Sequence, residues 1–179
     1  MRDIIQIFYN IPMLKVIQGN ITTLKVDAIV NAANHTLLGG GGVDGAIHCA
    51  AGPDLLKECR TLGGCRTGDA KITSAYNLPC KYVIHTVGPV WYGGAHNEVK
   101  DLFNCYTNSL KLADLYNCAS VAFPYISTGV YRFPKEQAAQ IAITAIKQIS
   151  SSLKAVKEIT LVCFAEEDKK IYDKLLGVS

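Results

Sequence analysis

The run Val26-Asp27-Ala28-Ile29-Val30-Asn31-Ala32-Ala33-Asn34, followed after four residues by Gly39-Gly40-Gly41-Gly42-Val43-Asp44-Gly45-Ala46-Ile47-His48, decides the fold. Val26–Val30 reads as a short strand, and Val43–Ala51 as a helix. Between them stand four consecutive glycines, each of which loses much backbone entropy on folding. A plain flexible connection explains that poorly. Without side chains, the backbone N–H groups can come close to a ligand. The first turn of the following helix adds further free N–H groups and a partial positive charge. The result is a cradle for phosphate or diphosphate. The pattern is neither G-x-G-x-x-G nor a P-loop, because no Gly-Lys-Ser/Thr follows.

Four polar side chains stand near this cradle in the sequence. Asn31 and Asn34 offer amide donors and acceptors that can read sugar hydroxyls. The competing reading is hydrogen bonding to the local backbone, which weighs more for Asn31 than for Asn34, since Asn34 lies nearer the glycines. Asp44 falls in the first helical turn. It either complements the helix dipole or orients a water or a ribose hydroxyl. His48 lies four residues on, on the same face, and either meets Asp44 or packs with its ring satisfied.

The arrangement recurs further along. Val121–Phe123 reads as a buried strand ending at Pro124. Tyr125-Ile126-Ser127-Thr128-Gly129-Val130-Tyr131-Arg132-Phe133 then leads to Pro134, which opens another helix. Ser127, Thr128 and Gly129 bring hydroxyls and backbone N–H groups to a second strand-to-helix loop. Tyr131 packs over a sugar or merely against its own loop. Two such loops on one sheet could grip a diphosphate from both sides.

Working outward, Leu14–Gln18, Ala70–Ser74, Tyr82–Val87 and Glu158–Phe164 read as further strands. Pro53-Asp54 opens a helix, with proline and an acid suited to its first turn. Glu98–Tyr116 is amphipathic, with Val99, Leu102, Phe103, Tyr106, Leu110 and Ala113 on one face. The helix after Pro134 presents Ala138, Ile141, Ala142, Ala145, Ile146 and Ile149, and Lys169–Leu176 is a closing helix. Strands apolar on both faces and separated by helices imply an α/β fold whose sheet is covered on both sides. Ligands on such sheets sit outside the carboxyl ends of the strands. The residues before Leu14 are expected to add an edge strand, so that 1–179 forms one domain.

Composition is globular: 179 residues, 49% hydrophobic and 18% charged. The net charge of +3 is too small to indicate nucleic-acid binding by itself and suits an anionic ligand equally. Seven cysteines, an odd number without C-x-x-C spacing, argue against a disulfide framework or a zinc site. Reduced thiols used as small apolar residues fit better. The first ten residues lack the pattern of a signal peptide, and no apolar run is long enough to span a bilayer. The expectation is a soluble, cytoplasmic, monomeric protein without a metal or cofactor. RNA is permitted as a partner only by the mild basicity, since aromatic–basic interleaving is missing.

Taken together, Gln18-Gly19-Asn20-Ile21-Thr22, Val26 through Asn34, Gly39 through His48, Ile84-His85-Thr86-Val87-Gly88-Pro89-Val90-Trp91, Ala122-Phe123-Pro124 and Ile126 through Tyr131 resemble the macrodomain family. Within it, the likeness is to the MacroD-type ADP-ribose hydrolases, over roughly Leu14 to Leu176. The resemblance implies a three-layer α/β/α fold with a mixed central sheet and an ADP-ribose cleft over the strand ends. Adenine would lie near Asn20 and Ile21, stacked on Phe164. The diphosphate would lie between Gly40–Val43 and Ser127–Tyr131, Val130 included, and the distal ribose near Asn34, Asp44 and Tyr131. The implied activity is water attack at an ester on that ribose. It would release ADP-ribose from acidic side chains of mono-ADP-ribosylated proteins and deacetylate O-acetyl-ADP-ribose. Either Asp44 activates the water, with Asn34 beside it, or the substrate's own phosphate assists while Asp44 positions the ribose. The alternative is a module that binds ADP-ribose without turning it over. Two positions depart from the family. Asn20 replaces the usual aspartate, which would weaken adenine binding by about 1 kcal/mol, the scale of one hydrogen bond. Arg132 stands where many relatives have glycine, within reach of a phosphate or of solvent only.

Overall fold

The computed structural model describes residues 11–178. Among these residues, six strands form one sheet in the order β1-β6-β5-β2-β4-β3. They are β1 (Met13–Gln18), β2 (Ala28–Ala33), β3 (Ala70–Ser74), β4 (Tyr82–Val87), β5 (Ser120–Phe123) and β6 (Glu158–Cys163). All neighbours are parallel except β3 and β4, so the sheet is mixed, as the resemblance implies. The edge strand expected before Leu14 lies largely outside the described residues.

Among the described residues, five helices flank the sheet: α1 (Gly42–Ala51), α2 (Pro53–Thr61), α3 (Glu98–Leu115), α4 (Lys135–Ser150) and α5 (Glu166–Leu176). Successive strand residues point to opposite faces, and each face has its own core. Val30, Ile84, Phe123, Ile159 and Leu161 meet α3, α4 and α5 on one side. Ile29, Val83, Val87, Ala122 and Val162 meet α1 and α2 on the other. Burying a large aliphatic side chain contributes about 1.5–3 kcal/mol, so these two apolar layers hold the sheet between the helices.

The alternation also orients the site. Asn31 and Ala33 follow Ile29 onto the α1/α2 face, and Asn31 is the register partner of His85 across β2 and β4. One helical assignment fails: Val99 is 42% exposed, because its position in the first turn of α3 turns it outward from the layer formed by Leu102, Tyr106 and Leu110. The last strand stops at Cys163, since Phe164 leaves the sheet, and α5 begins three residues before the expected Lys169.

Candidate functional site

Because β1, β6, β5, β2 and β4 run parallel, their carboxyl ends share one edge of the sheet. The loops leaving β1, β2, β5 and β6 carry Asn20, the glycine run, Ser127–Tyr131 and Phe164, respectively. The site is assembled from these four chain exits.

The glycine loop is built against α1 by close backbone approach. Gly39 and Gly42 lie at φ +90° and +56°, in the left-handed region that glycine tolerates. A side chain at Gly40 would crowd Asp44 Oδ2 at 3.0 Å and Asn34 Nδ2 at 3.3 Å. Gly40, Asn34 and Asp44 are therefore brought to one point. Gly45, which the sequence reading passed over, is just as constrained: a Cβ there would lie 2.5 Å from the Gly40 carbonyl oxygen. Gly41 caps α1 and has no side chain to accept its first-turn amides. That leaves the helix N-terminus, with Gly42 and Val43, facing outward for an anion. A hollow of about 440 Å³ lies along the outer side of this loop, lined by Gly39, Gly40, His48, Cys49, Pro53 and Leu56 among others.

The two asparagines play different parts from those expected. Asn31 is fully buried and offers no surface to a ligand. Its Nδ2 donates to Asp44 Oδ1 at 2.7 Å and reaches His85 Nδ1 at 3.1 Å. Pleating sends it under α1, so it supports the cradle from behind. The local-backbone reading fits Asn34 instead. Its Nδ2 donates to the Gly39 carbonyl at 3.0 Å, and its Oδ1 accepts from the Thr36 N–H and hydroxyl at 3.2 and 2.7 Å. Asn34 thus holds the start of the glycine loop in shape while lying half-buried beside Gly40.

Asp44 is 4% exposed. One carboxylate oxygen, Oδ1, is taken by Asn31, with His48 Nε2 3.5 Å away. The other, Oδ2, lies on the Gly40 and Asn34 side. His48 has a buried Nε2 without a hydrogen-bond partner in the protein, so its ring is not the satisfied one expected. His85 is: Nε2 stands 3.0 Å from Thr73 Oγ1 and 3.7 Å from Cys59 Sγ. Burial and then the nearby His48 push its imidazole down to about 3, so it is neutral.

On the facing side, Ser127 is buried at φ +65°, and its hydroxyl has no protein partner. Thr128 Oγ1 donates to the Tyr125 carbonyl at 2.8 Å, and the Arg132 N–H donates to Gly129 at 3.0 Å. These bonds curl the loop into a turn whose outer residues, Gly129 and Val130, are exposed. Tyr131 is half-buried and anchors the turn through its carbonyl, which accepts from the Trp91 N–H at 2.9 Å. Gly88, at the end of β4, makes room for it: a Cβ there would lie 2.2 Å from Ser127 Oγ and 2.7 Å from Ile126 Cγ2. Arg132 is exposed at φ +57°, a backbone region that explains why glycine suits this position.

At the far end, Asn20 caps a 3-10 turn, Ile21–Thr23. Its Oδ1 accepts from the Thr22 N–H and hydroxyl at 3.0 and 2.7 Å. Both lone pairs are occupied, so what Asn20 shows a ligand is an NH2 donor. The acceptor oxygen expected for adenine is not free. Ile21 is buried in the α1/α2 core, so its side chain is withdrawn from the cleft. Phe164 stands beside this turn, 88% exposed, with its carbonyl 3.4 Å from Gln18 Nε2. A bare aromatic at a strand exit is a surface on which a planar ring can stack.

A six-stranded mixed sheet with two glycine-containing loops over adjacent strand exits defines an α/β protein built to hold an anionic ligand at the sheet edge. The sequence pattern of the Macro domain family matches residues 30–142, and the chain belongs to that family. It is 58% identical over 164 residues to the ADP-ribose glycohydrolase MACROD2 of Homo sapiens, covering 89% of this chain and 38% of that protein. It is 53% identical over 167 residues to an O-acetyl-ADP-ribose deacetylase of Escherichia fergusonii, covering 91% and 94%. A mutant Oceanobacillus iheyensis macrodomain solved with ADPR superposes with a TM-score of 0.89 at 42% identity, covering 94% of each chain.

Proposed function

We propose that this protein binds ADP-ribose along the sheet edge and hydrolyses esters of its distal ribose. It would free acidic side chains of mono-ADP-ribosylated proteins and deacetylate O-acetyl-ADP-ribose. Its relatives in Homo sapiens and Escherichia fergusonii are named an ADP-ribose glycohydrolase and an O-acetyl-ADP-ribose deacetylase, which supports a hydrolase acting on ADP-ribose derivatives. The observation that carries the reading is the juxtaposition of Asp44 Oδ2, Asn34 and Gly40 at the mouth of the α1 cradle.

In this reading the diphosphate spans the α1 N-terminus and the Ser127–Tyr131 turn. Its charge is met by backbone N–H groups and the helix dipole. Phe164 stacks on adenine, which leaves the distal ribose against Gly40. Asp44 is held by one oxygen only, so the other is placed to accept a hydrogen bond from a ribose hydroxyl or an attacking water. Water adds to the ester carbonyl, the bond to the ribose oxygen breaks, and that oxygen takes up a proton as ADP-ribose leaves. The carboxylate acts as the base, or the substrate phosphate does while Asp44 orients the ribose.

The test is release of ADP-ribose from a protein mono-ADP-ribosylated on glutamate, beside Asp44→Ala. Wild-type release, reduced about a hundredfold or more in the variant, is expected for a lost general-base or positioning group. Tight ADP-ribose binding by calorimetry without release would leave a reading module as the better account.

A further inference from the structure

Behind the cradle, a line of buried polar groups crosses three strands and ends on Asp44. Thr73 lies on β3, His85 on β4 and Asn31 on β2. Each is at most 2% exposed. We infer that His85 is a positioning residue for the proposed hydrolysis: it touches no ligand and holds the Asp44 carboxylate in place through the Asn31 amide. The inference rests on the functional reading above.

The argument is one of donors and acceptors. An asparagine side chain has two N–H donors on its nitrogen. Those of Asn31 face Asp44 Oδ1 at 2.7 Å and His85 Nδ1 at 3.1 Å. Its Oδ1 is buried with no partner in the protein. The Asp44 carboxylate only accepts, so the amide nitrogen faces it, and the same nitrogen meets His85. Both contacts form together only if His85 Nδ1 is a bare acceptor, which places the ring proton on Nε2. Thr73 Oγ1, 3.0 Å from Nε2, is placed to accept that proton. The other neighbours of the ring are the Cys59 thiol at 3.7 Å and His48, whose ring centroid is 6.3 Å away.

Suppose the proton sat on Nδ1 instead. Two donors would then face each other, and the amide would turn its oxygen toward the ring. That oxygen would also face Asp44 Oδ1, and two acceptors would repel across a buried gap. The carboxylate would lose its one short anchor and shift away from Gly40 and Asn34. Small displacements of a reacting group carry large kinetic penalties.

The experiment compares wild type, Thr73→Val and Thr73→Ser. Valine keeps the β-branched shape but cannot accept the Nε2 proton; serine can. We expect kcat for ADP-ribose release to fall about tenfold or more in Thr73→Val, with ADP-ribose affinity unchanged, and to be largely kept in Thr73→Ser. Nitrogen-15 NMR of the histidine rings should show wild-type His85 neutral with Nε2 protonated. The Asn31 side-chain amide protons should exchange slowly in wild type and rapidly in Thr73→Val. Unchanged kcat in Thr73→Val, or a parallel loss of kcat and affinity, would overturn the inference. So would a proton on Nδ1 in wild type, a result that stands even if Thr73→Val does not fold. The NMR signals need no turnover. If wild type releases no ADP-ribose the hydrolase reading fails, while the tautomer and the amide protection still decide whether His85 controls Asn31.

Discussion

Asn20 shows how one residue's neighbours decide what it offers a ligand. The residue type carries both a donor and an acceptor, but Thr22 consumes the acceptor. An adenine amino group is a donor and gains nothing from the remaining NH2. Asn20→Asp would keep one oxygen on Thr22 and turn the other to the cleft as an acceptor. ADP-ribose affinity should then rise about fivefold, the equivalent of about 1 kcal/mol. Calorimetry with ADP-ribose and its hypoxanthine analogue checks this, and the gain should be confined to the adenine form. A gain shared by both would mean that the new charge, not the amino group, is responsible. Asn31 and Asn34 teach the same lesson from the other side. Both were singled out in the sequence from their place at a strand end. Their contacts were not legible, because Asn31 leaves β2 under α1 while Asn34 lies past the strand end against the glycine loop.

At the scale of elements, the cleft exists because loops are pressed against strand and helix backbones at glycines. Gly88 belongs to β4's exit, yet its missing Cβ shapes the loop after β5. Gly88→Ala should displace Ile126 and Ser127, lowering stability by about 1–3 kcal/mol, as overpacking does, and weakening ADP-ribose binding with it. Gly129 is the control. Nothing in the protein lies within 4 Å of a Cβ placed there. Gly129→Ala should leave stability within about 0.5 kcal/mol of wild type and still weaken binding if a diphosphate rests on this turn. Urea denaturation and calorimetry on the two variants separate the effects. Binding unchanged in Gly129→Ala would move the ligand off this turn. In the sequence, Gly129 was flagged by its own neighbours. Gly88 and Gly45 were not, since each is required by a segment distant in the chain or by a backbone carbonyl on the facing loop.

The whole molecule should lose stability in acid for two separable reasons. His85 is neutral and buried, its imidazole pushed from 6.5 to about 3 by burial and His48. The unfolded chain takes up a proton there below 6.5, and the folded one does not until about 3. Stability therefore falls as pH drops through that window. Glu98, buried at the start of α3, is the second. Burial alone would raise its carboxyl, but N–H groups including those of His96, Tyr92 and Gly94 hold it down at about 2. Its contribution is fully present above the unfolded value of 4.5 and is lost as pH falls toward 2. Urea midpoints should decline from pH 6.5 downward, and Glu98→Gln should flatten only the part below 4.5. A flat profile between 6.5 and 4.5 would mean that His85 is charged in the folded protein.

The sequence by itself determined the elements and their order. Apolar periodicity is local, and prolines and glycines mark strand and helix ends within a few residues. It also pointed to two loops that suit an anion, one after Asn31-Ala32-Ala33-Asn34 through its consecutive glycines before a helix and one after Phe123-Pro124 through the hydroxyls and N–H groups of Ser127, Thr128 and Gly129. Only the tertiary structure decided that β2 and β5 lie side by side, so that both loops open onto one cleft. It alone put Asn31 opposite His85 and under Asp44, since parallel register is set by the packing of two apolar cores. It alone exposed Phe164 while burying Ile21, because burial depends on what the rest of the chain leaves uncovered.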